Sequence, residues 1–334
     1  MNNQMMNRFL FFSFCCIICV GLFSCEKNTD IIVPDPNQLN GPDTTWYNTL
    51  TENMSAIALK NDIQSGYDID TVSLNGGTGL SFITASELHF SINPGSIITG
   101  TGNVYLGNMI VKSMYANSIG KSALMMKQTL TNFGHLLSSG GTFFVAFYNL
   151  NNEELFIAPN NNISVTYHSE NNYSGMKLFV ENQIDLLYSN WERPADSSQN
   201  NITVFSDYHT AHLNHTGWVN CSTEDFYNNQ LSKISLHLPS NYTNANTIAF
   251  LSFGDLKSVI NFDADVSGRI FKTGFLPAAR QAIVTVISKQ GGYYYMKQKN
   301  ITTLSTATSG GYQVINLTPV ITSISELKNS LSSL

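Results

Sequence analysis

The sequence predicts an all-β protein: two tandem antiparallel β-sandwiches carried behind a leader and a flexible linker. Three observations predict it. Charged residues make up only 12% of the chain and aromatics 11%. Asn, Ser and Thr take the polar positions, and β-branched and aromatic side chains between turn formers suit a pleated, half-buried surface. Next, apolar Leu88, Phe90 and Ile92 alternate with His89 and Ser91, and Ile163, Val165 and Tyr167 alternate in the same way, the period of two that marks a strand with one face in a core. Finally, turn signals break the body into short runs, the spacing expected of sandwiches. A chain of 334 residues leaves room for two domains of ordinary size behind a leader and linker.

Residues 1–24 read as a signal peptide. A short polar start with one cation, Arg8, precedes an apolar run over 9–23, and the composition changes abruptly at Glu26-Lys27-Asn28-Thr29-Asp30. The run is too short to span a bilayer comfortably. Its ending, Leu22-Phe23-Ser24-Cys25, resembles the lipobox of bacterial lipoproteins. That resemblance implies cleavage before Cys25, acylation of its thiol, and a body tethered to the bacterial cell envelope. The outer membrane is the expected location, on its periplasmic or surface face. Cleavage would remove one of the 17 cations, Arg8, and none of the 23 anions. No Lys/Arg cluster marks the chain, which argues against nucleic acid as a partner. Cys15, Cys16 and Cys19 lie in the leader and Cys25 is the lipidation residue, so Cys221 alone remains and cannot form an internal disulfide. A small buried apolar role suits it.

Residues 25–45 read as a linker, with Pro34, Pro36, Gly41 and Pro42 among Asn and Asp residues. The segment 46–59 suits either a short helix or a first strand. The first sandwich is expected over 46–170. Asn93-Pro94-Gly95 and Ser138-Ser139-Gly140-Gly141 read as turns, and 149–152 as a hairpin loop returning through Leu155-Phe156-Ile157. The polar run Asn171-Asn172-Tyr173-Ser174 marks the expected boundary. The second sandwich, 171–334, has strand signals at 177–181, 202–208, 233–238, 247–253, 282–288, 293–297 and 313–317. A short C-terminal helix is capped by Ser323, with Ile324, Leu327 and Leu331 on one side.

Several pieces together resemble a known family. Ile92-Asn93-Pro94-Gly95-Ser96-Ile97, with Asn93 where the pattern carries Pro, is similar to a turn in the sandwich domain of netrin receptors, ankyrins and zonula-occludens proteins. Leu136-Leu137-Ser138-Ser139-Gly140-Gly141-Thr142-Phe143 and the hairpin after it resemble later strands of that domain, which a second β-domain often follows. Gly217-Trp218-Val219-Asn220-Cys221 resembles a piece found in bacterial surface lipoproteins with this arrangement. The resemblance implies an interaction or scaffold module and carries over no catalytic residue.

Three constellations have residue types that chemistry requires. His89-Phe90-Ser91 resembles the self-cleavage site of some β-sandwich domains, where a strained backbone and the His assist attack of the Ser hydroxyl on the preceding carbonyl; an amphipathic strand with both polar residues in solvent is the simpler account of the tripeptide. Asp263, Asp265 and Ser267, followed by Gly268, match the first half of a calcium loop. The position for the closing carboxylate holds Gly274, and an acidic surface turn accounts for the rest. His209, His212 and His215 are the residue type of a zinc site, yet on a strand His212 would face away from the other two. Trp46, Trp191, Trp218 and Tyr293-Tyr294-Tyr295 would stack on sugars if exposed in a row, and otherwise belong to cores and strand pairs. No nucleophile elbow, phosphate loop, dinucleotide fingerprint or His-Glu-x-x-His occurs. These readings converge on a non-catalytic binding, adhesion or scaffold module without a cofactor. Its expected partners are the membrane, through lipid, and a protein or glycan. The alternatives are self-processing at Phe90-Ser91 and a calcium- or glycan-binding accessory lipoprotein.

Overall fold

The computed structural model describes residues 43–75, 77–169, 173–225, 231–305 and 311–334. The leader 1–24, Cys25 and nearly all of the linker lie outside the described residues. The body is all-β: its strands form several sheets, almost entirely antiparallel, and 43–334 makes one compact unit.

The largest sheet has eight strands. Its main path runs Asp68–Leu74, Gly107–Ala116, Leu136–Asn149, Gly217–Asp225, Lys177–Gln183, Ser189–Glu192, with Glu154–Ile157 and Ile97–Thr99 attached beside Leu136–Asn149. A five-stranded sheet runs Asn201–Val204, Tyr208–Leu213, Ile163–His168, His89–Ile92, Leu80–Ile83. Phe90, Ile92, Val165, Tyr167, Ala211 and Leu213 of the smaller sheet share one buried cluster with Val111, Phe143, Val145, Phe147, Leu178 and Val219 of the larger. The alternation visible in the sequence supplies that inner face.

The pairing does not divide at the boundary expected near 170. Ile163–His168 pairs with Tyr208–Leu213, and Leu136–Asn149 pairs with Gly217–Asp225. Five strands that lie beyond the expected boundary therefore complete the first pair of sheets. Ser138-Ser139-Gly140-Gly141 is also no turn; it lies inside the long strand. Across Asn220/Ser222 the register shifts, so that Thr142 faces Asn220 while Ser139 faces Ser222. The glycines form a β-bulge. Gly141 has φ +144°, and a Cβ there would come within 3.0 Å of the Tyr167 ring and 3.1 Å of the Tyr115 ring.

Beyond 231 a second pair of sheets encloses its own cluster. A five-stranded sheet runs Ser258–Asn261, Thr247–Phe253, Gln281–Gln290, Tyr293–Thr302, Val320–Thr322. A four-stranded sheet runs Asp263–Asp265, Ile270–Lys272, Ile234–His237, Gln313–Asn316, its last pair parallel. Ile234, Leu236, Phe271 and Ile315 meet Leu251, Phe253, Val284 and Val286. Every residue of Thr247–Phe253 is buried, because helices cover the other face of its sheet. Helix α1 is Ser55–Ile63, α2 is Ile119–Leu124 and α3 is Ile324–Ser332. Leu59, Ile63, Ile119, Leu327 and Leu331 cluster with Ile248, Phe250 and Ile287. The ambiguous start of the body is thus helical at α1. α3 begins at a capping box in which the Ser323 hydroxyl accepts from the Glu326 amide and the Glu326 carboxylate accepts from the Ser323 amide.

The segment between α2 and Leu136 ties the two pairs of sheets together. The Thr129 amide donates to the Val259 carbonyl at 2.7 Å, and the Thr129 hydroxyl accepts from the Val259 amide at 2.9 Å. The Leu137 amide donates to the Thr129 carbonyl and the Trp191 amide to the Leu130 carbonyl. Among the described residues no helix is long and apolar enough to cross a membrane.

Candidate functional site

A groove of about 870 Å³ opens on the body. One wall is the turn joining Lys177–Gln183 to Ser189–Glu192. Another is the strand Asp263–Asp265 with Val266 and Ser267, and Tyr47, Asn48 and Asn244 close one end. Each wall is fixed by its own hydrogen bonds. The Asp185 carboxylate accepts from the Leu187 and Tyr188 amides at 2.7 and 2.8 Å, an Asx-type turn that settles the backbone between the two strands. Asn244 accepts from the Tyr47 amide at 3.0 Å and donates to the Tyr47 carbonyl at 2.6 Å, locking the entering chain to the second pair of sheets.

The electrostatics of the groove follow from two carboxylates and a phenol. Burial first, and then Asp185, raise the Asp263 carboxyl above its ordinary value. Burial first, and then Asp185 and Asp263, raise the Tyr188 phenol. Tyr188, Asp185 and Asp263 line the groove with the amides of Gln183, Asn48 and Asn244. Such a mixture of acceptors, donors and tyrosine rings suits a ligand rich in hydroxyl groups.

The residues singled out in the sequence do not converge on one site. Asp263, Asp265 and Ser267 do line the groove, but Asp265 is committed elsewhere. One carboxylate oxygen accepts from the Ser267 hydroxyl at 2.7 Å and the Gly268 amide at 2.9 Å, and the other pairs with the Lys272 ammonium. The Lys272 hydrogen bond, followed by the Gly268 and Ser267 donors, holds the Asp265 carboxyl well below the usual carboxylate range. A calcium ion there would have to displace Lys272. Among the described residues no group of three or more His, Cys, Asp or Glu side chains is placed to hold a metal.

The three histidines separate by strand alternation. His209 is buried in the core, edge-on to Tyr167 at 5.7 Å. His212 faces outward and hydrogen-bonds Ser164 at 3.0 Å. His215 contacts Asn200 at 2.9 Å beyond the strand end, and burial lowers its pKa.

His89 and Ser91 face outward and Phe90 is fully buried. Their strand is paired on both sides in regular register, with Leu80–Ile83 and with Ile163–His168. No residue from 89 to 91 has a positive φ. His89 hydrogen-bonds Ser81 at 2.9 Å, and with Ser164 and His212 it belongs to a polar outer face of ordinary cross-strand pairs.

Cys221 is buried, and burial pushes its thiol up to about 12, the setting of an inert structural cysteine. Trp191 is fully buried, Trp218 nearly so, and Trp46 packs on Phe271 at 4.9 Å. Tyr293 alone of its triplet is largely exposed.

Sequence reasoning missed Asp185, Tyr188, Tyr47 and Asn244. Asp185 carried a usable signal, as an Asx residue between two strand-like runs, but the turn it makes does not announce which distant loop faces it. Compared with known proteins, the chain matches no family model, no curated protein and no solved structure.

Proposed function

We propose that this chain is a lipid-anchored bacterial cell-envelope protein, held at the outer membrane through Cys25, whose body of tandem β-sandwiches acts as a non-catalytic binding or scaffold module. One observation carries the reading: the apolar run over 9–23 ends in Leu22-Phe23-Ser24-Cys25 and gives way at once to charged and then proline-bearing sequence. A protein so tethered needs a linker and a body able to stand apart from the membrane, and the 43–334 unit supports that need. The test is the intact mass of the protein purified from its own membranes. A single species beginning at Cys25 with added acyl chains is expected. A mass that retains residues before Cys25 and lacks lipid sinks the proposal, and two fragments meeting at Phe90-Ser91 would put self-processing in its place.

A second reading, glycan recognition, is favoured by the groove. Its Tyr188 donor stands near the acceptors Asp185 and Asp263, and sugars present hydroxyls that both donate and accept. Binding on a sugar array that is lost in Tyr188→Phe and Asp263→Asn supports this reading; binding unchanged in both variants removes the groove from consideration. Calcium would announce itself as a fall in melting temperature on chelation, since a ligand bound only to the folded state stabilises it.

A further inference from the structure

A second, smaller cleft of about 270 Å³ lies where α1 meets the large sheet, lined by Lys60, Asn61, Gln64, Tyr67, Lys127, Glu181, Gln183 and Trp218 among others. Its chemistry differs from that of the groove. The Lys127 side chain is only 10% exposed and its ammonium pairs with Glu181, itself 16% exposed. The same ammonium sits over the Trp218 ring, 4.5 Å from its centre. The Lys60 ammonium donates to the Leu186 carbonyl at 2.6 Å. Two ammonium groups thus share the cleft with one carboxylate. Asp185, which lines the neighbouring groove, also attracts Lys60, but less strongly than Lys127 repels it.

A buried lysine is held charged only when counter-charge and hydrogen-bond acceptors meet it. Lys127 has Glu181 for that purpose. Lys60 has a neutral carbonyl in direct contact and only the longer-range attraction of Glu181 and Asp185, and an ammonium carries three donors, so part of its capacity is open to whatever enters the cleft. Burial first, and then Lys127, lower the Lys60 pKa, which is the cost an entering anion would relieve. Glu181 cannot serve both lysines fully, because it is already in direct contact with Lys127.

We propose that this cleft is a binding site for a small carboxylate, received by Lys60 and Lys127 beside Trp218. The volume of about 270 Å³ has room for a carboxylate and a small attached body, such as the acid end of a uronic acid. Gln183 lines both the cleft and the groove, so a sugar acid could place its carboxylate in the one and its hydroxyls toward the other. The proposal does not depend on acylation of Cys25.

The experiment is thermal melting of the purified full-length protein with sodium acetate or sodium glucuronate, against sodium chloride and neutral glucose at matched ionic strength. A saturable rise in melting temperature with both carboxylates, absent with chloride and glucose, is expected. Lys60→Gln should abolish the rise and Lys60→Arg should keep much of it. Because Lys60→Gln also loses the bond to Leu186, a second readout uses the unaltered chain: an amine-reactive label followed by mass spectrometry. Acetate should slow labelling of Lys60 several-fold while leaving exposed Lys297 unchanged. Equal stabilisation by chloride, a rise that survives Lys60→Gln, or unprotected Lys60 would each overturn the proposal.

Discussion

Gln128 is the side chain on which the union of the two sheet pairs is most exposed to test. It is 6% exposed. Its amide nitrogen donates to the Ser189 carbonyl at 3.0 Å and to the Asn190 side chain at 2.6 Å, both on an edge strand of the large sheet. Its amide oxygen accepts from the Asn261 backbone amide at 3.3 Å, on the second five-stranded sheet. Gln128→Ala removes all three bonds. Half-buried Asn190 can turn to water, but the Ser189 carbonyl and the Asn261 amide lose a partner inside the protein, at about 1–3 kcal/mol for each unsatisfied buried group. The long bond to Asn261 belongs at the low end of that range, so the loss should be about 2–4 kcal/mol. For a body of this size that corresponds to a fall in melting temperature of roughly 3–7 °C. Differential scanning calorimetry is the assay, and the shape of the transition matters as much as its position. If Gln128 and Thr129 join the halves into one cooperative unit, both proteins melt in a single transition with equal calorimetric and van't Hoff enthalpies. A shift below about 1 kcal/mol equivalent, or two transitions in the unaltered protein with one of them unmoved in the variant, would show that Gln128 does not couple the two halves.

Three further outcomes follow from the packing. In Gly120→Ala the new Cβ would overlap the Ser332 carbonyl oxygen and stand 2.7 Å from that of Leu331; a loss of about 1–3 kcal/mol and faster hydrogen exchange across α3 are expected, and unchanged exchange there would contradict the docking. Cys221 has a thiol raised by burial to about 12, so the unfolded chain ionises first as pH rises above about 9. The stability tied to the neutral thiol is complete below that pH and is lost as pH climbs toward the folded value, by at most ~4 kcal/mol. Urea melts of Cys221→Ala should fall less steeply above pH 9 than those of the parent, and parallel curves would rule out this origin. Lys127→Met leaves the mostly buried Glu181 carboxylate with only the weaker attraction of Lys60, at a cost of about 1–3 kcal/mol, and adding Glu181→Leu should restore most of that loss; a double variant no better than the single would show that the pair is not coupled.

What the sequence discloses here is what neighbouring residues decide, and what it conceals is what distant residues decide. The strand Thr247–Phe253 is legible because an unbroken apolar run between turn formers has few other outcomes. The hairpin after Asn149 is legible because its Asn side chain supplies the turn, accepting from the Asn151 and Glu153 amides at 2.9 Å. The helix α1 is not, because its apolar residues Ala56, Ile57, Leu59 and Ile63 become a buried face only against Ile248 and Ile287, which no local pattern predicts. Gly140-Gly141 shows the same limit in a sharper form. Two glycines after two serines are a turn signal to any local reading, yet what they satisfy is the approach of the Tyr115 and Tyr167 rings from two other strands. The boundary near 170 fails for the corresponding reason: a polar run marks where chain leaves a strand, not which strand it returns to, and Tyr208–Leu213 returns to the strand just left. The groove is the extreme case. Asp263 is visible as an acidic residue in a loop-like motif and Asp185 is not, and the property that gives them meaning is their burial around Tyr188, to which their mutual repulsion adds. That property exists only once the two pairs of sheets are held together, so any variant that loosens the seam at Gln128 should lower the raised Asp263 and Tyr188 pKa values before it unfolds either half.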